Sequence, residues 1–374
     1  MSAPPDKRLF TPGPINTSRT VKEAALRDVG SRDSELLAVV REIRAELLRL
    51  ANTSTEAGYE AILLQGSGTF AVEAVISSVV PPQGTLLVVS NGAYGERIGQ
   101  ISQRHGITTQ FVRCAENVLP DLAAISTALL DPSITHVAAV HCETSSGILN
   151  PLEAIAAHVQ HAGKELIVDA MSSFGAHPIR IGDLPAAHLI SSANKCIEGL
   201  PGFAFVLSRR QSLLASRGHA RTVSLDLLAQ WEGLERDGQF RFTPPTHVLL
   251  AFRQALRELE AEGGVVGRAA RYRANHTALV TGMRALGFVE HVPSALQSHI
   301  ITTFLCPADS RFRFDLFYQK LAARGLVIYP GKLTQGDCFR VGHIGQLTVA
   351  DMQSLLAGIR AVLDELGVAV PVTN

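Results

Sequence analysis

HLISSANKCIEGLPGFAFVLS, residues 188–208, sets two apolar runs on either side of a turn rich in Gly and Pro. Each run has the length of a strand and neither alternates polar with apolar residues, so both read as strands covered on both faces. Between them stands Lys195, with Ser191, Ser192 and Asn194 beside it. Lysines occur only at 7, 22, 164, 195, 320 and 332, and Lys195 alone sits between two strands of buried type. A solvated surface lysine is the ordinary reading of a turn. A partly desolvated one has a lowered pKa and forms an imine with an aldehyde.

Toward the N-terminus the same grammar repeats. YEAILL precedes FAVEAVISSVV, TLLVVS precedes AYGERIGQISQRHG, THVAAVH precedes PLEAIAAHVQHAG, and ELIVDA follows. Buried strands alternating with amphipathic helices predict an α/β fold with a mainly parallel sheet covered by helices. SELLAVVREIRAELLRL, within 21–50, has helical spacing. TPGPINTS (11–18) brackets Gly13 with Pro12 and Pro14, which excludes regular helix and leaves an ordered arm. After 247 come helical patterns, then ITTFLCP, FDLFYQKLAARG, LVIYPG, CFRVGHIG and a last helix, an order that suits a smaller α+β domain. The expected division is an arm (1–20) associated with the small domain, a large domain (21–267) and a small C-terminal domain (268–374).

Composition narrows the function classes. With 374 residues, 46% hydrophobic and 18% charged, the chain can bury a sizeable core, and 34 basic residues balance 34 acidic ones. Nothing here favours a polyanion, so nucleic acid is not an expected partner. Cysteines at 114, 142, 196, 306 and 338 have no zinc spacing and an odd number, which fits a reducing compartment. No run approaches the roughly 20 apolar residues that span a bilayer. The sequence reads as a soluble, cytoplasmic protein without a membrane partner.

The strand ends carry the unusual residues, where ligands of such sheets bind. In QGSGTFAVEAV, Ser67, Gly68 and Thr69 open a helix and can cradle a phosphate, although a Gly-rich turn is equally a structural device. Neither a GxxxxGK[ST] loop nor a full GxGxxG is present, which counts against ATP and NAD. Asp169 ends the strand of IVDAMSSFG as either a helix cap or the partner of a ligand cation, such as the pyridine nitrogen of pyridoxal 5'-phosphate (PLP). Tyr94 in NGAYGER can stack on a flat ring or pack on its own helix. Glu143, Thr144 and Ser145 in HCETSSGILNP suit hydrogen bonds to a ring oxygen or substrate, or ordinary turn formation. Arg340, in the apolar setting DCFRVG, needs an anion, which is an internal carboxylate or an acid group of the substrate. No G-x-S-x-G elbow and no HExxH point to hydrolysis.

Taken together, FTPGPINTSRTVKEA (10–24), LLQGSGTFAVEAV (63–75), VSNGAYGER (89–97), HCETSSGILNP (141–151), IVDAMSSFG (167–175), LISSANKCIEGLPGFAFV (189–206), SLDLLAQW (224–231), RFTPPTHVLLAF (241–252) and LVIYPGKLTQGDCFRVGHIG (326–345) resemble the class V aminotransferases over nearly the whole chain. Within that family the likeness is to the members that act on 2-aminoethylphosphonate and pyruvate.

The resemblance implies the PLP-dependent transferase fold type I, with a seven-stranded sheet, and a homodimer whose active site lies at the subunit interface. It makes Lys195 the lysine that holds PLP and Asp169 the partner of the pyridine nitrogen. Ser67, Gly68 and Thr69 hold the cofactor phosphate, Tyr94 lies against the ring, Thr144 joins the cofactor site, and Arg340 binds the anionic end of the substrate. Thr243 is expected to reach the neighbouring subunit's cofactor phosphate. Arg32 stands where the family often has an aromatic segment, and Leu228 where it often has a tyrosine, which bears on the choice of substrate. Rival readings are a class V transaminase for serine, alanine or glyoxylate, a PLP-dependent lyase, and a protein that keeps only the fold.

Overall fold

A computed structural model describes residues 6–334 and 336–373, so the first five residues of the expected arm lie outside the described residues. Seven strands form the main sheet: β1 Tyr59–Gln65, β2 Thr85–Ser90, β3 Thr108–Arg113, β4 Ile134–Val140, β5 Glu165–Asp169, β6 His188–Ser192 and β7 Phe203–Arg209. They lie in the order β1-β7-β6-β5-β4-β2-β3. Strand β7 runs antiparallel to both neighbours, and every other pairing is parallel. The reason is the short connection around Lys195, since a parallel partner requires a crossover of a dozen or more residues.

Strands β2 and β6 are buried along their whole length, the polar His188, Ser191 and Ser192 of β6 included. The edge strand β3 is mostly half-exposed. Its Thr108, Thr109 and Gln110 break the apolar pattern, and the strand runs read from the sequence pass over it. The helix Ser34–Leu50 packs against the sheet through Leu36, Val39, Val40, Ile43 and Leu47, and Asp33 accepts the Glu35 N–H at its start.

A second, antiparallel sheet holds β8 Ile301–Leu305, β9 Tyr329–Pro330 and β10 Cys338–Gly342, with β10 in the middle. Phe288, Phe304, Phe317 and Phe339 fill a separate core between this sheet and the helices Phe314–Ala323 and Val349–Leu366. Thr348 and Asp351 form a capping box that fixes where the last helix begins. The N-terminal strand Arg8–Leu9 pairs in parallel with Leu326–Val327, and Phe10 is fully buried in this second core. The arm after Phe10 then crosses to the main sheet. Among the described residues no helix is long and apolar enough to cross a membrane.

Candidate active site

The turn after β6 brings Lys195 to the edge of the sheet where β1, β2, β4 and β5 also end. Its ammonium donates to the Pro12 carbonyl oxygen at 2.9 Å, so the arm lies directly against it. The side chain keeps some solvent contact, yet protein atoms crowd its end, and desolvation pulls the pKa below the ordinary lysine value. Tyr94, Cys196 and Asp169 oppose that shift without reversing it. Burial thus shifts Lys195 toward the neutral amine that imine formation requires.

The turn itself is held from the other side. Glu198 takes a positive φ of 64° and is buried. Its carboxylate accepts from Tyr272 Oη at 2.5 Å, Arg271 Nη2 at 2.8 Å and Gln346 Nε2 at 2.6 Å, while Arg268 Nη1 donates to the Cys196 carbonyl at 2.5 Å. Arg268 and Arg271 also pair with Glu262. This clamp escaped sequence reasoning because its members are scattered over 198–346.

Asp169 ends β5, and its Oδ1 accepts the Met171 N–H at 2.9 Å, so the capping contact is real. Its Oδ2 has no hydrogen-bond partner among the described residues. Burial, reinforced by the nearby Glu143 carboxylate, pushes the Asp169 pKa up to about 6, and Met171, Lys195 and Arg97 oppose the rise. At neutral pH the carboxylate is mostly ionised and one oxygen remains for a cation.

Ser67 is the N-cap of the helix Gly68–Val79, and its hydroxyl makes no capping bond. The first-turn N–H groups of a helix have no acceptor inside it. A side chain on Gly68 would run into the Met171 sulfur, which places this turn against the residues that follow Asp169. Arg97, one helical turn beyond Tyr94, donates to Thr69 Oγ1 at 3.4 Å. That positive charge beside the turn was legible in the spacing of AYGER but was not singled out.

Tyr94 is the hub on the opposite wall. Burial alone would raise its phenol, but Lys195, Lys332 and Arg340, together with a hydrogen bond from Thr144, hold its pKa below the ordinary value. Arg340, on β10, is 3% exposed. It donates to the carbonyls of Thr144 at 2.8 Å and Pro330 at 3.0 Å, and its guanidinium lies 5.3 Å from the Tyr329 ring centre. Among the described residues it forms no ion pair. The internal-carboxylate reading of Arg340 thus has no support in the structure.

For Glu143 and Ser145 the structure favours the local, helix-holding alternative over contact with a ligand. Glu143, fully buried, accepts the N–H groups of Tyr94 at 3.1 Å and Gly95 at 3.2 Å through one oxygen, and the N–H and hydroxyl of Ser145 at 3.1 Å and 2.5 Å through the other. Ser145 Oγ also accepts the Ala93 N–H at 3.2 Å. Both residues cap the helix Ala93–Arg104 and hold Tyr94 in place, so they are not free to meet a ligand. Thr243 is exposed and meets the end of β1 only through its carbonyl, to which Gln65 Nε2 donates at 3.5 Å. With Arg32, Arg241 and Phe242 it lines a surface cleft of about 340 Å³. Leu228 is buried in the main core.

These groups fit PLP. A desolvated amine, a carboxylate with an uncommitted oxygen, and a helix start with a free hydroxyl answer to its aldehyde, its pyridine nitrogen and its phosphate.

Comparison with known proteins agrees. Residues 16–332 match the family described as Aminotransferase class-V. The chain is 51% identical over 358 residues to the 2-aminoethylphosphonate–pyruvate transaminase of Salmonella typhimurium, covering 95% of this chain and 97% of that one. It is 53% identical over 354 residues to the protein of the same name from Klebsiella pneumoniae, covering 94% and 96%. Among solved structures, the alanine–glyoxylate aminotransferase of Nostoc sp. superposes with a TM-score of 0.89 at 25% identity, covering 97% and 96%. The pyridoxamine–pyruvate aminotransferase of Mesorhizobium loti does so with 0.89 at 24% identity, covering 99% and 96%, a likeness of fold. A type I sheet with a desolvated lysine and a buried carboxylate at its strand ends, matched over this span, leaves one assignment: the chain belongs to the class V aminotransferases and is a PLP-dependent enzyme.

Proposed function

We propose that this aminotransferase moves the amino group of 2-aminoethylphosphonate to pyruvate, giving phosphonoacetaldehyde and L-alanine. The observation that carries the reading is Arg340, a buried guanidinium beside Tyr94 that forms no ion pair among the described residues. Burying a cation without an anion is costly, so the position calls for a substrate acid group. The names and 51–53% identity of the Salmonella and Klebsiella relatives support phosphonate and pyruvate as the bearers of that group.

Bound PLP would supply an electrophilic aldehyde and a ring that accepts electron density from the substrate carbon. Ser67, Gly68 and Thr69 would hold its phosphate, with Tyr94 and Thr144 beside the ring and Asp169 at the pyridine nitrogen. Asp169, ionised above about pH 6, keeps a positive charge favourable at that nitrogen. Lys195, its pKa lowered by desolvation, takes the proton from the amine-bearing carbon as a neutral base and then returns one as the conjugate acid. Arg340 fixes the acid group, phosphonate in one half-reaction and carboxylate in the other, and so orients that carbon toward Lys195.

Residues 21–267 would carry the lysine and 268–374, with the arm 1–20, the arginine, which places the substrate at their junction. A homodimer completes the site, with Thr243 of the partner subunit reaching the cofactor phosphate. Its exposed hydroxyl and the exposed Phe70 and Phe242 nearby in the fold support that reading.

The test is an assay of the PLP-loaded protein with 2-aminoethylphosphonate and pyruvate, scored by L-alanine and phosphonoacetaldehyde. Appearance of L-alanine only with serine or another amino donor would replace the substrate and leave the transaminase. Ammonia release without a keto acid would replace the reaction class by a lyase.

A further inference from the structure

Arg340 accounts for one negative charge, whereas a fully ionised phosphonate carries two. Lys332 stands in the loop between β9 and β10, and its Nζ lies 4.2 Å from the centre of the Tyr94 ring. It forms no ion pair or hydrogen bond among the described residues, and it is only partly exposed. Described residues on either side of Lys332 are held in place. Thr334 donates to Glu116 through both its N–H and its hydroxyl, each at 3.1 Å, which ties the loop to the segment after β3. A side chain on Gly331 would strike Cys338, so the start of the loop is folded tightly on β10.

Lys332 and Arg340 thus approach one phenol from different parts of one hairpin, Arg340 through β10 and Lys332 through the loop before it. We propose that Lys332 is a specificity residue, which pairs with the second negative charge of a phosphonate and gives the site its preference for a dianionic over a monoanionic acid group. Arg340 alone serves the carboxylate of pyruvate; Arg340 and Lys332 together serve the phosphonate. An ammonium on a flexible stem suits the task, since it can leave the Tyr94 face when the second charge arrives and return to it afterwards. The inference rests on the phosphonate reading of the same site.

Amine-free probes test it without turnover. Ethylphosphonate and propionate have the acid group and carbon chain but nothing to transaminate. Calorimetric titration of the PLP-loaded enzyme, at a pH above the second ionisation of the phosphonate, measures each. For Lys332→Met, ethylphosphonate binding is expected to weaken roughly ten- to a hundredfold while propionate binding changes less than about threefold. Lys332→Arg should retain most of the difference between the probes. Equal weakening of both probes, or of neither, overturns the proposal, as does an altered cofactor absorbance that would mark Lys332 as a support for Tyr94 instead. Wild-type formation of L-alanine from 2-aminoethylphosphonate separates this failure from that of the substrate reading.

Discussion

Lys195 Nζ and the carbonyl oxygen of Pro12 are 2.9 Å apart, a contact across 183 positions of sequence. The arm therefore forms a wall of the site. Its Gly13 has a φ of +134°, and a side chain there would meet the Lys195 ammonium.

Gly13→Ala is consequently expected to displace either the arm or the lysine. Turnover should fall on the order of a hundredfold, the loss typical of a catalytic group moved by about 1 Å. The measurement is kcat beside a thermal unfolding curve. A protein that unfolds like wild type and keeps wild-type kcat would detach the arm from the chemistry.

Asp169→Asn separates stability from activity. The carboxyl titrates at about 6 in the folded state against an ordinary 3.8. The folded state thus holds the proton more tightly, and ionising Asp169 opposes folding fully above pH 6 and not at all below about 3.8. In the PLP-free protein the Asn variant should be more stable than wild type at pH 7 to 8 by on the order of 2–3 kcal/mol, and the gap should close as pH falls from 6 to 4. Comparing the two proteins at each pH cancels the opposite trend from His136, His141 and His299, which burial holds near 4. The same substitution should lower turnover at every pH, and wild-type activity should decline as pH falls through 6. Denaturant titrations over that range decide the matter.

Arg340→Ala removes the buried cation together with its bonds to Thr144 and Pro330. The KM for the amino donor should rise roughly ten- to a hundredfold, the worth of a charge-assisted contact. Unchanged donor saturation would take Arg340 out of the substrate site.

Thr243→Ala tests the proposed dimer. Losing one hydroxyl contact to a phosphate should weaken PLP retention by about fivefold. Light scattering should report the same oligomeric state as wild type, since Thr243 is an exposed residue whose hydroxyl packs in no core. Retention identical to wild type would leave the cofactor phosphate to Ser67, Gly68 and Thr69 of one chain.

Lys195 and Asp169 stood out because one lies just past buried β6 and the other closes buried β5, where a charged residue demands a reason. The α/β order was legible from the same runs. Glu143 was not, since two of its donors are N–H groups 48 and 49 positions away that sequence does not bring into view. Strand β3 was hidden by its place at the sheet edge, where polar residues are tolerated. Lys332 was one name among six lysines, and only the fold brings it to the Tyr94 ring. The role proposed for Thr243 comes from family likeness alone, for nothing in RFTPPTH marks one residue as a cofactor contact.

The antiparallel seating of β7 between β6 and β1 has a metric consequence. Gly66 N donates to Gly202 O at 2.9 Å, directly beyond the pair Gln65 and Phe203. The turn that would grip the phosphate and the turn that carries the lysine are thereby pinned to each other at one point on the sheet. The sheet acts as a ruler, and the span between phosphate and aldehyde is set by strand register. That span owes nothing to the small sheet that carries Arg340.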